Sequence, residues 1–143
     1  MMGGKVLDLF IAPKESDTRI SKETISLDHN GVVDDKFYKK DLNRSILITS
    51  IHSYNIAKSH NITIEYGKLG ENILVDIDIS SLNIGDYITI GDASLQITQS
   101  CTICKGLSSV DCNLPEILAH DRGIFAKVIN THKISVNDTV SIK

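Results

Sequence analysis

The stretch NIGDYITI (Asn83–Ile90) has a close echo near the other end of the chain, in SVNDTVSI (Ser135–Ile142). In each copy an aliphatic residue precedes a Gly or Asn suited to positive φ, then Asp follows, and then a run in which apolar residues alternate. This pattern predicts a tight turn that leads into a short, half-buried β-strand. The repeat indicates a fold built from strands and turns.

The other apolar runs of the chain are also short and end in turn residues. They predict strands at 5–12, 23–28, 45–50, 61–67, 72–79, 93–99 and 123–130. Short helices are predicted at 52–61 and 113–120, the second capped by Asn113 and opened by Leu114 and Pro115. Such a chain predicts a mainly β fold, a closed or nearly closed barrel of roughly seven or more short, mostly antiparallel strands with a few short helices.

Length and charge restrict the class of protein. The chain has 143 residues, which is the usual size of one domain, and we expect a single domain over residues 1–143. Its hydrophobic fraction of 41% and charged fraction of 23% are typical of globular proteins. The net charge of −3 argues against a nucleic-acid polymer as a partner, although a local basic pocket remains compatible with it.

The cellular compartment is predicted from the N-terminus and the cysteines. No apolar run approaches the ~20 residues that a membrane span requires. The start MMGGKVLDLFIAP is broken by Asp8 and resembles a first strand more than a signal peptide. Three cysteines, an odd number, without an export signal indicate reduced thiols. We therefore expect a soluble cytoplasmic protein with no membrane partner.

Two of the cysteines form a CxxC pair, Cys101 and Cys104, directly after a predicted strand. No βαβ pattern surrounds the pair, which disfavours a dithiol oxidoreductase. Cys112 and His120 extend it to C-x2-C-x7-C-x7-H, four N/S ligands that would suit structural zinc. A third interpretation is one working thiol at Cys104, with the other cysteines as small buried hydrophobes.

The segment KLGENIL (68–74) places Gly70, Glu71 and Asn72 between two apolar runs. Gly70 permits a tight backbone, and the next two side chains offer an acceptor and an amide. This arrangement is compatible with a simple hairpin turn or with contacts to a loop or ligand.

Three basic residues lie at predicted strand ends. Arg44 and Arg122 each lie just before a strand, and Lys127 lies within one. Such side chains either face solvent or bind a phosphate group. The common hydrolase, nucleoside-triphosphate and dinucleotide-binding motifs are absent.

Taken in order, these elements resemble the MOSC domain, the module named for the C-terminal part of molybdenum-cofactor sulfurases, over nearly the whole chain. The family's G-[LV]-x-G-D element is similar to GVVDD, with Gly31 and Asp35 in place. Asp34 replaces the second glycine, and Phe37 stands where many members have His. The family arginine before the next strand matches Arg44.

The later motifs follow in the same order. The G-E-N-[LI] element is intact at 70–73, and LNIGDYITIG (82–91) follows the pattern L-x-[IV]-G-D-x-[IV]-x-[IV]-G. The T-Q-x-R-x-P-C loop matches TQSCTIC, which puts Cys104 at the family's cysteine. Cys101 lies where Arg is usual and Ile103 where Pro is usual.

The resemblance implies a β-barrel whose cysteine loop borders a pocket. Members bind the molybdenum cofactor with cysteine as a metal ligand, or carry sulfur as a cysteine persulfide, and some reduce N-hydroxylated bases and amidoximes. Cys104 is thereby implied as both the catalytic thiol and the metal ligand. The implied cofactor-binding residues are Arg44, Glu71, Asn72, Arg122 and Lys127.

The resemblance also implies partners. They are a small-molecule substrate and either a sulfur donor, a cysteine desulfurase, or an electron-donor protein. Pyridoxal phosphate belongs to a separate desulfurase domain in the fused sulfurases and is not expected in this chain. The competing prediction from another class is a non-enzymatic binding module, stabilised by zinc or containing a free thiol.

Overall fold

The computed structural model of the chain describes residues 2–14, 19–100, 118, 123–130 and 132–142. This part of the chain contains short strands, one α-helix and one turn of 3₁₀-helix. The strands are β1 (Met2–Ile11), β2 (Ile20–Lys22), β3 (Thr24–Asp28), β4 (Gly31–Val32), β5 (Ile46–Ser50), β6 (Ile73–Val75), β7 (Tyr87–Ile90), β8 (Ala93–Ser100), β9 (Ile124–Val128), β10 (His132–Ser135) and β11 (Thr139–Ile142). The helices are α1 (Ile51–Ser59) and the 3₁₀ turn Leu42–Arg44.

Seven strands close into a barrel. Their order is β11-β7-β8-β9-β5-β6-β1, and β1 pairs with β11 to complete the circle. Within the described residues, the pairing of β5 with β6 is parallel and the other barrel pairings are antiparallel. Strand β2 adds to β1, and β10, β3 and β4 form a separate small sheet. The predicted mainly β fold, a barrel of short and mostly antiparallel strands, is confirmed.

The two copies of the repeated turn have the same geometry. Gly85 and Asn137 both adopt positive φ, 96° and 75°, as the sequence predicts. The carboxylates of Asp86 and Asp138 each accept a hydrogen bond from the backbone N–H three residues earlier, at 2.8 Å in both copies. The strands that follow, β7 and β11, pair with each other. The repeat therefore builds two neighbouring strands of the barrel.

Alternating apolar residues fill the barrel. Strands β7, β8 and β9 alternate buried and more exposed positions, so one face of each strand points into the core. A second, smaller cluster joins α1 to Leu74 of β6, whose neighbours Ile73 and Val75 belong to the barrel core. Since successive side chains of a strand point to opposite faces, this second cluster lies outside the barrel. Its buried members are Tyr54, Ala57, Ile64, Leu69, Leu74 and Leu118.

Helix α1 confirms one of the two predicted helices. It begins after Ser50, whose hydroxyl accepts a hydrogen bond from the His52 N–H at 3.1 Å. The helix predicted at 113–120 lies outside the described residues, apart from Leu118. No helix in the described ranges is long and apolar enough to cross a membrane.

The strand predicted at 61–67 is wrong. Asn61 has a φ of 62°, and the Ile62 N–H donates to the carbonyl of Ala57 at 3.0 Å, which closes the end of α1. The alternating Ile62 and Ile64 pack against the α1 cluster and do not belong to a sheet. The neighbouring prediction at 72–79 is correct only for the three residues of β6.

Candidate functional site

A groove of about 280 Å³ lies beside the end of β8. Its lining residues are Asn43, Ile84, Gly85, Gln96, Ile97, Thr98, Gln99 and Lys127. Two of them, Thr98 and Gln99, begin the motif TQSCTIC. The strand register pairs Ser100, the last residue of β8, with Ile124, the first residue of β9. The groove therefore lies next to the ends of β8 and β9 between which the chain carries the cysteine motif.

The described lining of the groove combines polar and apolar side chains with a positive charge. Among the described residues that line it, Lys127 is the charged one and none is a carboxylate. Three side-chain amides and a threonine hydroxyl supply neutral donors and acceptors. The Gln96 amide donates to the carbonyl of Gly85 at 3.3 Å, and the Thr98 hydroxyl donates to the carbonyl of Asn43. Such a lining suits an anionic group with hydrogen-bonding neighbours.

Arg44 lies at the edge of this groove. It ends the 3₁₀ turn, which Asp41 caps by accepting a hydrogen bond from the Asn43 N–H at 3.0 Å. The guanidinium carbon of Arg44 lies 4.7 Å from the ring centroid of Phe125. Phe125 and Lys127 are two residues apart on β9 and share its outward face. The structure thus brings Arg44 and Lys127, two of the predicted cofactor-binding residues, to the same side of the barrel.

Glu71 lies in a buried polar cluster with Thr49 and Tyr54. Its side chain has no exposed area. Its Oε2 accepts hydrogen bonds from the Thr49 hydroxyl at 2.7 Å and from the Tyr54 hydroxyl. The Tyr54 hydroxyl in turn accepts from the Gly67 N–H at 3.1 Å. Among the described residues, the second oxygen of Glu71, Oε1, has no hydrogen-bond partner.

This environment favours the neutral form of Glu71. Burial raises the pKa of the Glu71 carboxyl, because water that would solvate the charged form is excluded. The hydrogen bonds from Tyr54 and Thr49, and the charge of Arg19, lower the pKa without cancelling the effect of burial. Burial, together with the Glu71 charge, also raises the pKa of Tyr54. The charged form of Glu71 is therefore less favourable here than that of a carboxyl in water.

Arg19 and Asp35 lie at the other side of this cluster. Nη1 of Arg19 is 3.8 Å from Oδ1 of Asp35 and has no hydrogen bond to any described residue. Burial lowers the pKa of Arg19, while the charges of Asp35 and Glu71 oppose that effect. Asp35 also accepts hydrogen bonds from the backbone N–H groups of Ala12, at 2.7 Å, and Phe37, at 3.0 Å. Asp35 is thus the carboxylate paired with Arg19, which leaves Glu71 without a cation at contact distance in the described ranges.

The Asn72 side chain forms hydrogen bonds within the scaffold. Its Oδ1 accepts from the Leu47 N–H at 3.2 Å, and its Nδ2 donates to the Phe10 carbonyl at 3.2 Å and to Oδ1 of Asp35 at 3.3 Å. Leu47 pairs with Phe125 across β5 and β9, so Asn72 is connected to the strand beneath Arg44. The amide links β5, β1 and the loop that carries Asp35.

Cys104 and Arg122 lie outside the described residues, as do the remaining candidate zinc ligands, Cys101, Cys112 and His120. The described ranges hold no group of three or more His, Cys, Asp or Glu side chains that could bind a metal ion.

Three members of the buried cluster were missed in the sequence. Thr49 is the one polar residue inside the apolar run ILIT, and that is the only signal for it. Tyr54 lies in the weakly patterned helix, and Arg19 belongs to no motif. Their importance depends on contacts with residues far away in the chain, which periodicity does not detect.

Replacing Glu71 with Gln is expected to remove a pH dependence of stability. The ordinary carboxyl pKa is 4.5, and the folded protein raises it. Between these two pKa values the folded state binds more protons than the unfolded chain, so the free energy of unfolding falls as pH rises. The wild type should therefore lose stability relative to Glu71→Gln from about pH 4.5 upward, as urea unfolding at a series of pH values would measure.

Glu65→Gln is the matched control for this experiment. Glu65 is exposed, so the same chemical change should leave the pH dependence as in the wild type. A constant difference between wild type and Glu71→Gln across the pH range would show that Glu71 titrates normally in the folded protein.

Comparison with known proteins assigns the family. The model of the MOSC domain matches residues 28–141. No curated protein matches the chain. Among solved structures, the YuaD protein from Bacillus subtilis is similar with a TM-score of 0.83 at 21% identity, over 97% of this chain and 94% of that one. YiiM from Escherichia coli is similar with a TM-score of 0.75 at 18% identity, over 100% of this chain and 70% of that one.

These structural likenesses have low sequence identity and concern the fold. The family match is independent of them and covers the repeated turns, the G-E-N element and the cysteine motif. Most of the chain lies within the matched range. The chain belongs to the MOSC domain family.

Proposed function

We propose that this chain binds the molybdenum cofactor, with Cys104 as the metal ligand, and reduces N-hydroxylated compounds with electrons from a partner protein. The proposal is supported by the family and by one observation, the groove. There, Thr98 and Gln99 of the cysteine motif lie beside Lys127 and Arg44, with no carboxylate among the described lining residues. The proposed setting is the cytoplasm, where thiols stay reduced.

The described lining fits an anionic cofactor. A pterin phosphate needs cations and neutral donors, and Lys127, with Arg44 at the edge of the groove, would hold it. The amides of Asn43, Gln96 and Gln99 would hydrogen-bond polar edges of the same molecule. A carboxylate in the groove would repel the phosphate, and the lining residues that the structure describes include none. Glu71 and Asn72 are not among the residues that line the groove, and their side chains are buried in the scaffold.

The chemistry divides between the cofactor and the chain. When bound, the molybdenum cofactor supplies a metal centre that exchanges electrons with the substrate. The chain supplies a soft thiolate, Cys104, which suits this metal. Lys127 and Arg44 hold the anionic end in place. A chain that carries sulfur as a Cys104 persulfide from a cysteine desulfurase would use the same thiol without the metal.

Elemental analysis of protein purified from a host that makes the cofactor tests the proposal. We expect about one molybdenum per chain, held by one thiolate. Lys127→Met should lower the molybdenum content because it removes a cation from the groove, while Lys133→Met, on an exposed position of β10, should not.

Two results would contradict the proposal. Stoichiometric zinc would favour the zinc-stabilised binding module. Absence of both metals, with sulfane sulfur released from the protein by cyanide, would favour the sulfur carrier.

A further inference from the structure

The loop of residues 34–44, here called the basic loop, forms a cationic surface on an acidic protein. It contains Lys36, Lys39, Lys40 and Arg44. Its exposed carboxylates are Asp34 and Asp41, since Asp35 is buried beside Arg19. The exposed part of the loop therefore has a surplus of positive charge in a chain whose net charge is −3.

Three cations of the basic loop, Lys36, Lys39 and Arg44, lie over aromatic rings. The Lys39 ammonium lies 5.8 Å from the ring centroid of Tyr38, and Arg44 lies over Phe125. Lys36 and Arg19 both lie over the Phe37 ring, at 5.6 and 5.9 Å. None of Lys39, Lys40 and Arg44 forms an ion pair with a carboxylate of the described residues. Their charges are therefore available to a partner.

The backbone of the basic loop is fixed by hydrogen bonds. The Lys36 N–H donates to the Ala12 carbonyl at 2.7 Å, and the Lys39 N–H donates to the Asn30 carbonyl at 2.9 Å. Asp35 accepts hydrogen bonds from Ala12 and from the Asn72 amide. A surface ordered in advance loses less conformational entropy when a partner binds.

Two exposed apolar side chains lie among the charged residues of the basic loop. Leu42 is 53% exposed and Phe37 is 46% exposed, both on the basic loop. Exposed apolar residues next to charged ones are typical of protein interfaces, in which an apolar centre is surrounded by a polar rim. The loop also ends at the groove, because Asn43 lines it and Arg44 follows. A protein bound here would lie next to the candidate site.

We propose that the basic loop is the docking surface for an acidic electron-carrier protein. The choice of an electron carrier rests on the proposed function, which needs an external electron donor. The charge of the surface agrees, since transient redox complexes rely on electrostatic steering. A nucleic acid fits less well, because the chain is acidic and stacking a base on Phe37 would displace its cations.

The test uses an oxidised flavodoxin, an acidic flavin carrier, titrated into the isotope-labelled chain and followed by NMR. Chemical-shift changes should concentrate in the basic loop, and binding should weaken between about 20 and about 200 mM salt. Lys39→Glu/Lys40→Glu should weaken binding about tenfold or more, because two attractive charges become repulsive. Leu42→Ser should weaken it several-fold with the salt dependence unchanged.

Lys68→Glu/Lys133→Glu is the matched control, with the same change in net charge at exposed positions outside the loop. It should stay within about twofold of the wild type, since only local charges steer docking. Equal weakening by both double variants, shifts outside the loop, or no binding would overturn the proposal. So would tighter loop-dependent binding of an oligothymidylate or of phosphatidylglycerol vesicles. These results do not depend on the molybdenum content, so the docking proposal and the proposed function can fail separately.

Discussion

Replacing Cys104 with serine is expected to abolish molybdenum binding by the purified chain. A hydroxyl stays protonated at neutral pH and is a hard oxygen donor, whereas the thiolate is soft and binds this metal well. The two side chains have nearly the same shape, so the change acts on the chemistry of the ligand. Elemental analysis should find molybdenum in the wild type and almost none in Cys104→Ser.

Cys101→Ser and Cys112→Ser are the matched controls. Both should retain most of the molybdenum, because the motif places the metal-binding thiol at Cys104 alone. We also expect limiting iodoacetamide to label Cys104 first, since cations near a thiol favour the reactive thiolate. Full molybdenum content in Cys104→Ser, or preferential labelling of Cys112, would defeat the assignment of this thiol.

Local patterns were enough to predict the barrel. The repeated turn needs a residue that tolerates positive φ, followed by an Asp that caps the turn, and both copies have them. The same reasoning accounts for one departure from the family motif. Asp34 stands in place of the second glycine and adopts a φ of 72°, a region that Asp tolerates better than most residues. The substitution therefore keeps the backbone of the loop.

The prediction at 61–67 failed because alternation alone does not identify a strand. Ile62 and Ile64 alternate with polar residues, as a half-buried strand would, but they pack against α1. Helix α1 has just ended at Ser59, and the chain turns back over it. The alternation correctly predicted that these side chains pack inward, but it did not predict the secondary structure. Several backbone paths can bury every second residue.

The roles of Glu71 and Asn72 could not be read from their motif. The sequence left a hairpin turn and a ligand contact both open. A turn is present, with the Gly70 N–H bonded to the Gly67 carbonyl at 3.1 Å, but it joins no hairpin, because no strand precedes it at 61–67 and β6 pairs with β1 and β5. What decides the environment of Glu71 is its contact with Thr49 and Tyr54, about twenty positions earlier in the chain. Contacts of that kind are products of the tertiary fold.

Asn72→Ala is expected to lower the free energy of unfolding by about 3 kcal/mol, because the buried Leu47 N–H and Phe10 carbonyl lose their amide partner. The side chain is buried, so water does not easily replace the lost hydrogen bonds. Asn55→Ala, on the exposed face of α1, is the control and should change stability by less than about 0.5 kcal/mol. Urea unfolding of the two variants and the wild type measures both effects.

Asn72→Asp separates the hydrogen bonds from side-chain volume. It keeps an oxygen for the Leu47 N–H but removes the donor to Phe10 and places a second carboxylate against Asp35. We therefore expect Asn72→Asp to be at least as destabilising as Asn72→Ala at neutral pH, and less so in acid, where protonation removes the repulsion. Stability close to that of the wild type in both variants would mean that the amide does not link β5, β1 and the Asp35 loop. In that case the G-E-N element would have to be explained by contacts outside the scaffold.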